Sequence, residues 1–349
     1  MEFVATTVRG IEDTAKQEIK ELIKEDSELI APGRLKFSAT EGKAKELIYM
    51  AKSLNMVYRL EAKFTFKSID EIVKKCPDIK IKGTFKVKCA RYTPQDFKSL
   101  DVEKAVGEKY FNKGHKVDLD KPETVIYIEI IDDICFVGID ITRKEMQKRE
   151  YRLKTNNQSP NALLAYALIR MSGWKKSMAL LDPFCKDGVI PIEAALYACN
   201  VPRGYFSDQR IDKLDKKIKK DKLEITGYDA YMPNVKNAEI NAKLAEVTKQ
   251  IKFSRVEVDW LDVKFPKNSI DVIATAPSFV SKGKDSAETE KDYKQLFHQA
   301  EFVLKKKGCL AIIAHRPDLI KKYAEKFVLK QETIANIGDM AISLMVYAK

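Results

Sequence analysis

The last 170 residues alternate apolar, strand-like runs with helical segments, and this alternation restricts the fold more than any other feature. From Met178 the order is "MALLD", "IPIEAALYACN", "EITGYD", "MPNVKNAEINAKLAEV", "IKFSRVEV", "IDVIATA", "DYKQLFHQAEFVLKK", "GCLAIIAH", "PDLIKKYAEKF", "LKQETIA" and "MAISLMVYA". Short strands joined through helices need crossover connections, which predicts an α/β domain built on a doubly wound, Rossmann-like parallel sheet. The stretch "DQRIDKLDKKIKKDKLE" (208–224) reads as a charged, solvated helix inserted into this pattern.

The opening of the chain follows a different plan. "EFVATTV", "IEDTAKQEIKELIKE", "RLKFSA" and "EGKAKELIYMAKSL" read strand, helix, strand, helix, with Ile11, Ala15, Ile19, Leu22 and Ile23 on one helical stripe. After "VYRLEAKFTF" and "SIDEIVKK" comes the alternating strand "TFKVKCARY", in which Lys86 and Lys88 face away from Phe85, Val87 and Cys89. The helix "DVEKAVGEKYFNKG" and the strands "TVIYIEII" and "ICFVGIDIT" complete a second α+β unit. A polar connector, "RKEMQKREYRLKTNNQSP", interrupts the pattern, and Pro160 stops any helix running through it. The expected divisions are therefore 1–60, 61–145, a linker over 146–159, and 160–349.

A formal net charge of +12 favours an anionic partner, nucleic acid above all, over a surface made basic only for solubility. Lys86, Lys88 and Arg91, with Tyr92 beside them, form one basic strand. The connector adds Arg143, Lys144, Lys148, Arg149 and Arg152, a set suited to phosphate contacts on a folded RNA. Six Cys without a C-x-x-C pair and three His predict buried thiols in a reducing compartment and no metal site. No apolar run approaches membrane-spanning length, so a cytoplasmic protein without a membrane association is expected.

In a doubly wound sheet, ligands bind outside the carboxyl ends of the strands. Asp182 ends the first strand, in "LLDPFCKDGVIPIEAA", and Gly188 opens the next helix, whose amide-rich N-terminus can face a carboxylate. Asp229, ending "GYD", can accept from both hydroxyls of a ribose. Asp259, beside Trp260, can accept from an adenine amino group, and the fourth strand opens into "ATAPSF".

With these residues in view, the chain resembles the THUMP-domain RNA methyltransferases, enzymes that use S-adenosyl-L-methionine. It is most similar to those that make N2-methylguanosine in archaeal tRNA. "FVATTVRGIEDTAKQEI" resembles their ferredoxin-like N-terminus (1–60), and "FKVKCARY" through "VGIDITRKEMQKREYR" their THUMP domain (61–145) and its exit. "SPNALLAYALIRMSGW" and "LLDPFCKDGVIPIEAA" resemble the entry to their catalytic domain (160–349). The resemblance implies that Asp182, Phe184 and Gly188 line the methionine end of the cofactor, with Asp229 on the ribose and Asp259 on the adenine. It also implies that the turn Ala276, Pro277, Ser278 and Phe279 is the catalytic one.

Two positions depart from the family pattern. Its C-G-S-G-T loop reads Cys185-Lys186-Asp187-Gly188-Val189 here, and its Asn/Asp-Pro-Pro-Tyr/Phe turn reads Ala276-Pro277-Ser278-Phe279. Aiming an amine lone pair at a methyl donor requires acceptors for the amine hydrogens, which Ala276 does not supply through its side chain. The carbonyls of Ala276 and Pro277 and the hydroxyls of Ser278 and Thr275 remain, with Phe279 able to stack on an extruded base. A cytosine C5 enzyme is disfavoured because the strand end carries no Cys nucleophile, and Cys185 reads as packing. Two functions stay open: methylation of a tRNA base amine, and an RNA-binding module with a silent domain that serves an active protein partner.

Overall fold

The computed structural model describes residues 1–207, 210–278, 286–338 and 340–349, apart from the side chains of Ser286 and Glu288. Two compact units divide the chain: residues 1–6, 19–48 and 54–146 form the first, and residues 7–18, 49–53 and 147–349 the second.

The first unit is built on one seven-stranded sheet. Its strands are β1 (Glu2–Thr6), β2 (Ser27–Ala31), β3 (Arg34–Ser38), β4 (Met56–Thr65), β5 (Phe85–Arg91), β6 (Thr124–Ile131) and β7 (Ile134–Asp140). They lie in the order β2-β3-β1-β4-β7-β6-β5, antiparallel throughout except for the parallel pair β5 and β6. The expected division between residues 60 and 61 falls inside β4. This strand pairs with β1 through Met56–Arg59 and with β7 through Tyr58–Thr65, with a register shift between Leu60 and Ala62. The bulge bends one strand without ending it, so 1–60 and 61–145 share a sheet. Strand β2, absent from the sequence expectation, is a half-buried edge without clear alternation.

Helices α1 (Glu12–Ile23) and α2 (Glu41–Met50) belong to the opening segment. Helices α3 (Ile69–Lys75) and α4 (Ser99–Phe111) bury Ile72, Val102, Val106 and Tyr110 against Phe85, Ile126, Ile128 and Ile130. The inward face of the alternating strand "FKVKCAR" is thereby covered, and Lys88 is left exposed.

The second unit begins with α5 (Ala162–Met171), β8 (Leu180–Asp182), α6 (Val189–Ala198), α7 (Asp212–Asp215), β9 (Ile225–Asp229) and α8 (Met232–Leu244). It continues with β10 (Ile251–Arg255), α9 (Leu261–Lys264), β11 (Ile270–Thr275), α10 (Ser286–Val303), β12 (Leu304–Ala314), α11 (Pro317–Tyr323), β13 (Val328–Ile337) and β14 (Met340–Ala348). The strand order is β10-β9-β8-β11-β12-β14-β13. The five strands from β10 to β12 are parallel, and β14 runs antiparallel between β12 and β13. Both faces are buried: in β11, Val272 and Ala274 pack with Leu164 and Ile192, while Ile273 packs with Leu296 and Phe297 on the other side. This is the double winding expected from the alternation, and strand order reverses between β8 and β11.

The charged insert does not form the expected helix. Its described part holds only the single turn α7. Lys213 and Lys217, like Lys216 and Lys220, stand four residues apart, where like charges destabilise a helix, and few apolar residues are present to anchor one.

Candidate active site

The reversal of strand order opens a cavity of about 630 Å³ outside the carboxyl ends of the parallel strands. Its wall includes Gln158 of the connector, Phe184 and Lys186 after β8, Asp229 and Asn234 after β9, Arg255 and Asp259 after β10, and Ser278 after β11. A smaller cavity of about 440 Å³ lies at the amino ends of the same strands, lined by Leu180, Ile225, Ile251 and Phe265.

Asp229 is buried at the cavity wall. One of its oxygens accepts from the Lys186 amide at 2.9 Å, and the other from the Tyr231 amide and the Asn234 side chain, each at 3.0 Å. A carboxylate has about four lone-pair directions, so these three donors leave one for a ligand hydroxyl, and rotation of Asn234 would free another. Asp259 is exposed at the wall and its carbonyl accepts from Gln299 at 2.9 Å. These carboxylates suit the hydroxyls and amino group of an adenosine, and Phe184 lines the same cavity. Trp260, expected beside Asp259 as a cofactor-binding residue, is 55% exposed and does not line the cavity.

Asp182 lies behind the wall, 1% exposed, and accepts from the Thr275 hydroxyl at 2.6 Å and the Phe184 amide at 3.1 Å. Burial pushes its carboxyl up to about 7, against those hydrogen bonds. Because the folded state raises this pKa, the neutral acid is favoured by folding. Its contribution is fully present below about pH 4 and is lost as the pH rises through 7, an effect of up to about 4 kcal/mol. Asp182→Asn is therefore expected to flatten the decline in thermal stability of the protein between pH 5 and pH 8. Equal slopes for the two proteins in calorimetry would show that this carboxyl does not titrate there.

Gly188 requires a correction, because it shapes the loop instead of lining the cavity. It precedes α6 at φ +81°, and a Cβ on it would stand 2.9 Å from the Cβ of Ala238 in α8. The absent side chain serves close helix packing, one known reason for glycine at such a turn.

The loop between them holds Lys186, also left-handed at φ 52° and 3% exposed. Its ammonium donates to the carbonyls of Ala276 at 2.6 Å, Gln158 at 2.7 Å and Pro277 at 3.4 Å. Two of the carbonyls proposed from sequence as amine acceptors are thus already engaged. The Ala276 methyl is buried in the apolar cluster with Ala274 and Ile313, and the Ser278 carbonyl accepts from the Tyr293 hydroxyl at 3.1 Å. Phe279 lies outside the described residues.

Of the basic residues, Lys86, Lys88 and Arg91 stand on β5 in the first unit, Lys88 exposed and Arg91 donating to Ser99 at 3.2 Å. In the second unit Lys148 is exposed, and Arg152 donates to Asp187 at 2.8 Å. Arg149 is not an RNA contact: it is 7% exposed and donates to Glu193 at 2.7 and 3.1 Å and to the Lys52 carbonyl at 2.8 Å. Glu193, the acid of "IPIEAA", is fully buried, and the Arg149 charge is what compensates it. If β5 contacts RNA phosphates, Lys88→Glu should weaken RNA binding equally across sequences and lower the slope of log affinity against log salt by about one. A salt titration with an unchanged slope would remove Lys88 from the interface.

Sequence reasoning missed Gln158, Asn234 and Arg255 in the wall. The polar run "NNQS" before α5 was the one available signal for the first of these.

A sheet of this order, with a charged cavity at its switch point, is the ligand-binding arrangement of doubly wound α/β domains. Residues 149–341 match the RMKL-like methyltransferase domain, and residues 63–140 match the THUMP domain. The chain belongs to the RMKL-like methyltransferase-domain family, so it is a methyltransferase, and the expectation of S-adenosyl-L-methionine as methyl donor stands. It is 29% identical to a tRNA (guanine(6)-N2)-methyltransferase of Methanocaldococcus jannaschii, over 97% of this chain and 98% of that one. It is 26% identical to the enzyme of the same name from Archaeoglobus fulgidus, over 99% and 91%. Among solved structures, TrmN from Thermus thermophilus superposes with a TM-score of 0.78 at 22% identity, covering 100% of this chain and 99% of that one. SMU.472 complexed with SAH gives 0.83 at 19%, covering 99% and 97%. Among the described residues, no helix is long and apolar enough to cross a membrane.

Proposed function

We propose that this protein is a cytoplasmic enzyme that methylates the exocyclic amine of a guanosine in tRNA. The observation that carries the reading is the cavity at the β8 and β11 carboxyl ends, whose wall joins the acidic residues Asp229 and Asp259 to the strand-end turn at Ser278. The THUMP match and the names of the archaeal relatives support RNA, and tRNA in particular, as the substrate.

When bound, S-adenosyl-L-methionine supplies an electrophilic methyl group. Asp229 would hold its ribose and Asp259 its adenine amino group. The protein's own work is positional. A base amine at the end of β11 needs its hydrogens accepted so that its lone pair points at the methyl, and the carbonyls of Ala276 and Pro277, in the turn just past the strand, supply acceptors. Without a side-chain acceptor at position 276, these main-chain groups carry that task, at a cost of up to a few kcal/mol in barrier against an Asn or Asp turn. Lys88 and Lys148 would meet phosphates, which fix register without reading sequence.

The test is transfer of label from S-adenosyl-L-methionine to unmodified tRNA transcripts, with free guanosine as control. Label is expected in tRNA and not in the nucleoside. Tight tRNA binding without transfer from a protein that also fails to bind S-adenosyl-L-methionine in calorimetry would instead support the silent RNA-binding module.

A further inference from the structure

We propose that the Lys186 ammonium occupies the target-amine position in the free protein, and that the substrate amine binds by displacing it. The inference rests on the methyl-transfer reading above and adds a competitor built into its site.

The hydrogen-bond inventory of the turn after β11 carries the argument. An ammonium has three N–H donors and no acceptor. The Lys186 ammonium donates to the main-chain carbonyls of Ala276, Gln158 and Pro277, at 2.6, 2.7 and 3.4 Å. The Thr275 hydroxyl donates to Asp182 from a fully buried side chain, and the Ser278 carbonyl accepts from Tyr293. While Lys186 stays in place, an incoming base amine finds the strand-end carbonyls already accepting from another nitrogen. The ammonium is therefore a mimic of the substrate amine, made by the same acceptors.

The loop is arranged so that the side chain can leave while the backbone remains. The Lys186 amide donates to the Asp229 carboxylate at 2.9 Å, an anchor independent of the ammonium. Four methylenes with free torsions connect the anchored backbone to the charge, and the residue lines the cavity into which it would swing. A non-glycine residue held at φ 52° is disfavoured in isolation, and such positions persist where the surroundings over-determine them, often at functional sites.

The experiment uses the full chain with ¹⁵N-labelled lysine. A buried, hydrogen-bonded ammonium exchanges slowly enough to give an Nζ resonance, assigned to Lys186 by its absence in Lys186→Met. Saturation with unmodified tRNA and S-adenosylhomocysteine is expected to remove that resonance. In parallel, Lys186→Met and Lys186→Gly should raise kcat/KM for tRNA at least tenfold through a lower KM, whereas a merely structural role would lower kcat. Melting curves verify that the variants fold, and if neither does, Lys186→Arg, which keeps the charge and has no Nζ, supplies the assignment so that the wild-type resonance still decides. Persistence of the ammonium signal in a tRNA-saturated complex, or an unchanged KM in folded variants, would overturn the displacement while leaving methyl transfer intact. Failure of tRNA to bind at all would overturn the functional reading, and the displacement with it.

Discussion

Replacing Glu193 by Ala should destabilise the second unit by about 3–5 kcal/mol, a large fraction of the stability of an ordinary domain. Glu193 is fully buried in α6, where it accepts from Arg149 Nε at 2.7 Å, Arg149 Nη2 at 3.1 Å and the Tyr151 hydroxyl at 2.8 Å. Removal of its carboxylate takes away the ion-pair partner of the buried Arg149 guanidinium, which keeps its bond to the Lys52 carbonyl. A buried cation that loses its paired carboxylate costs far more than the pair contributes, which is why breaking such a pair is worse than never having it. Glu193→Gln retains an acceptor for Tyr151 and should fall between Ala and wild type. Urea unfolding followed by circular dichroism measures the difference. A loss under 1 kcal/mol for the Ala variant would mean that water reaches Arg149 and that the pair is not the anchor between the connector and α6.

Asp229→Ala should weaken binding of S-adenosyl-L-methionine by roughly 2–5 kcal/mol, some thirtyfold to several thousandfold. Two losses combine. The carboxylate offers an acceptor to the ribose, and it also receives the Lys186 amide, the Tyr231 amide and the Asn234 side chain at 2.9–3.0 Å, fixing the loop after β8 to the loop after β9. Removing it leaves two main-chain amides without their acceptor beside the cavity. Asp229→Asn keeps one oxygen and should lose less. Calorimetric titration of both variants decides the point, and an affinity unchanged in Asp229→Ala would remove this residue from the site.

What the sequence reveals depends on whether a signal is local. The doubly wound sheet is legible because strand and helix periods differ and each segment carries its own, and the rule that such sheets bind ligands at strand ends leads to the cavity wall at Asp229 and Asp259, with Asp182 behind it. Strand β2 is not, since a half-buried edge strand needs no alternation. Nor is the continuity of the first sheet, because a bulge between Leu60 and Ala62 looks in sequence like a boundary. Arg149 and Lys88 look alike as basic residues in polar surroundings. Only the fold brings Arg149 to a buried glutamate 44 residues away, while the pleat of β5 leaves Lys88 exposed. Lys186 stands out in sequence as a departure from a glycine, but its carbonyl partners at 276 and 277 are 90 and 91 residues distant. No local pattern records that contact.

Methylation of a guanosine amine in tRNA is the reaction we propose for the cavity at the end of β11. It is tested most directly by incubating the protein with S-adenosyl-L-methionine and tRNA transcribed without modifications, digesting the tRNA to nucleosides, and separating them by liquid chromatography with mass spectrometry. N2-methylguanosine should appear with wild type and fall strongly with Asp229→Ala. A different methylated nucleoside, or none from a protein that binds both tRNA and S-adenosyl-L-methionine, would contradict the claim.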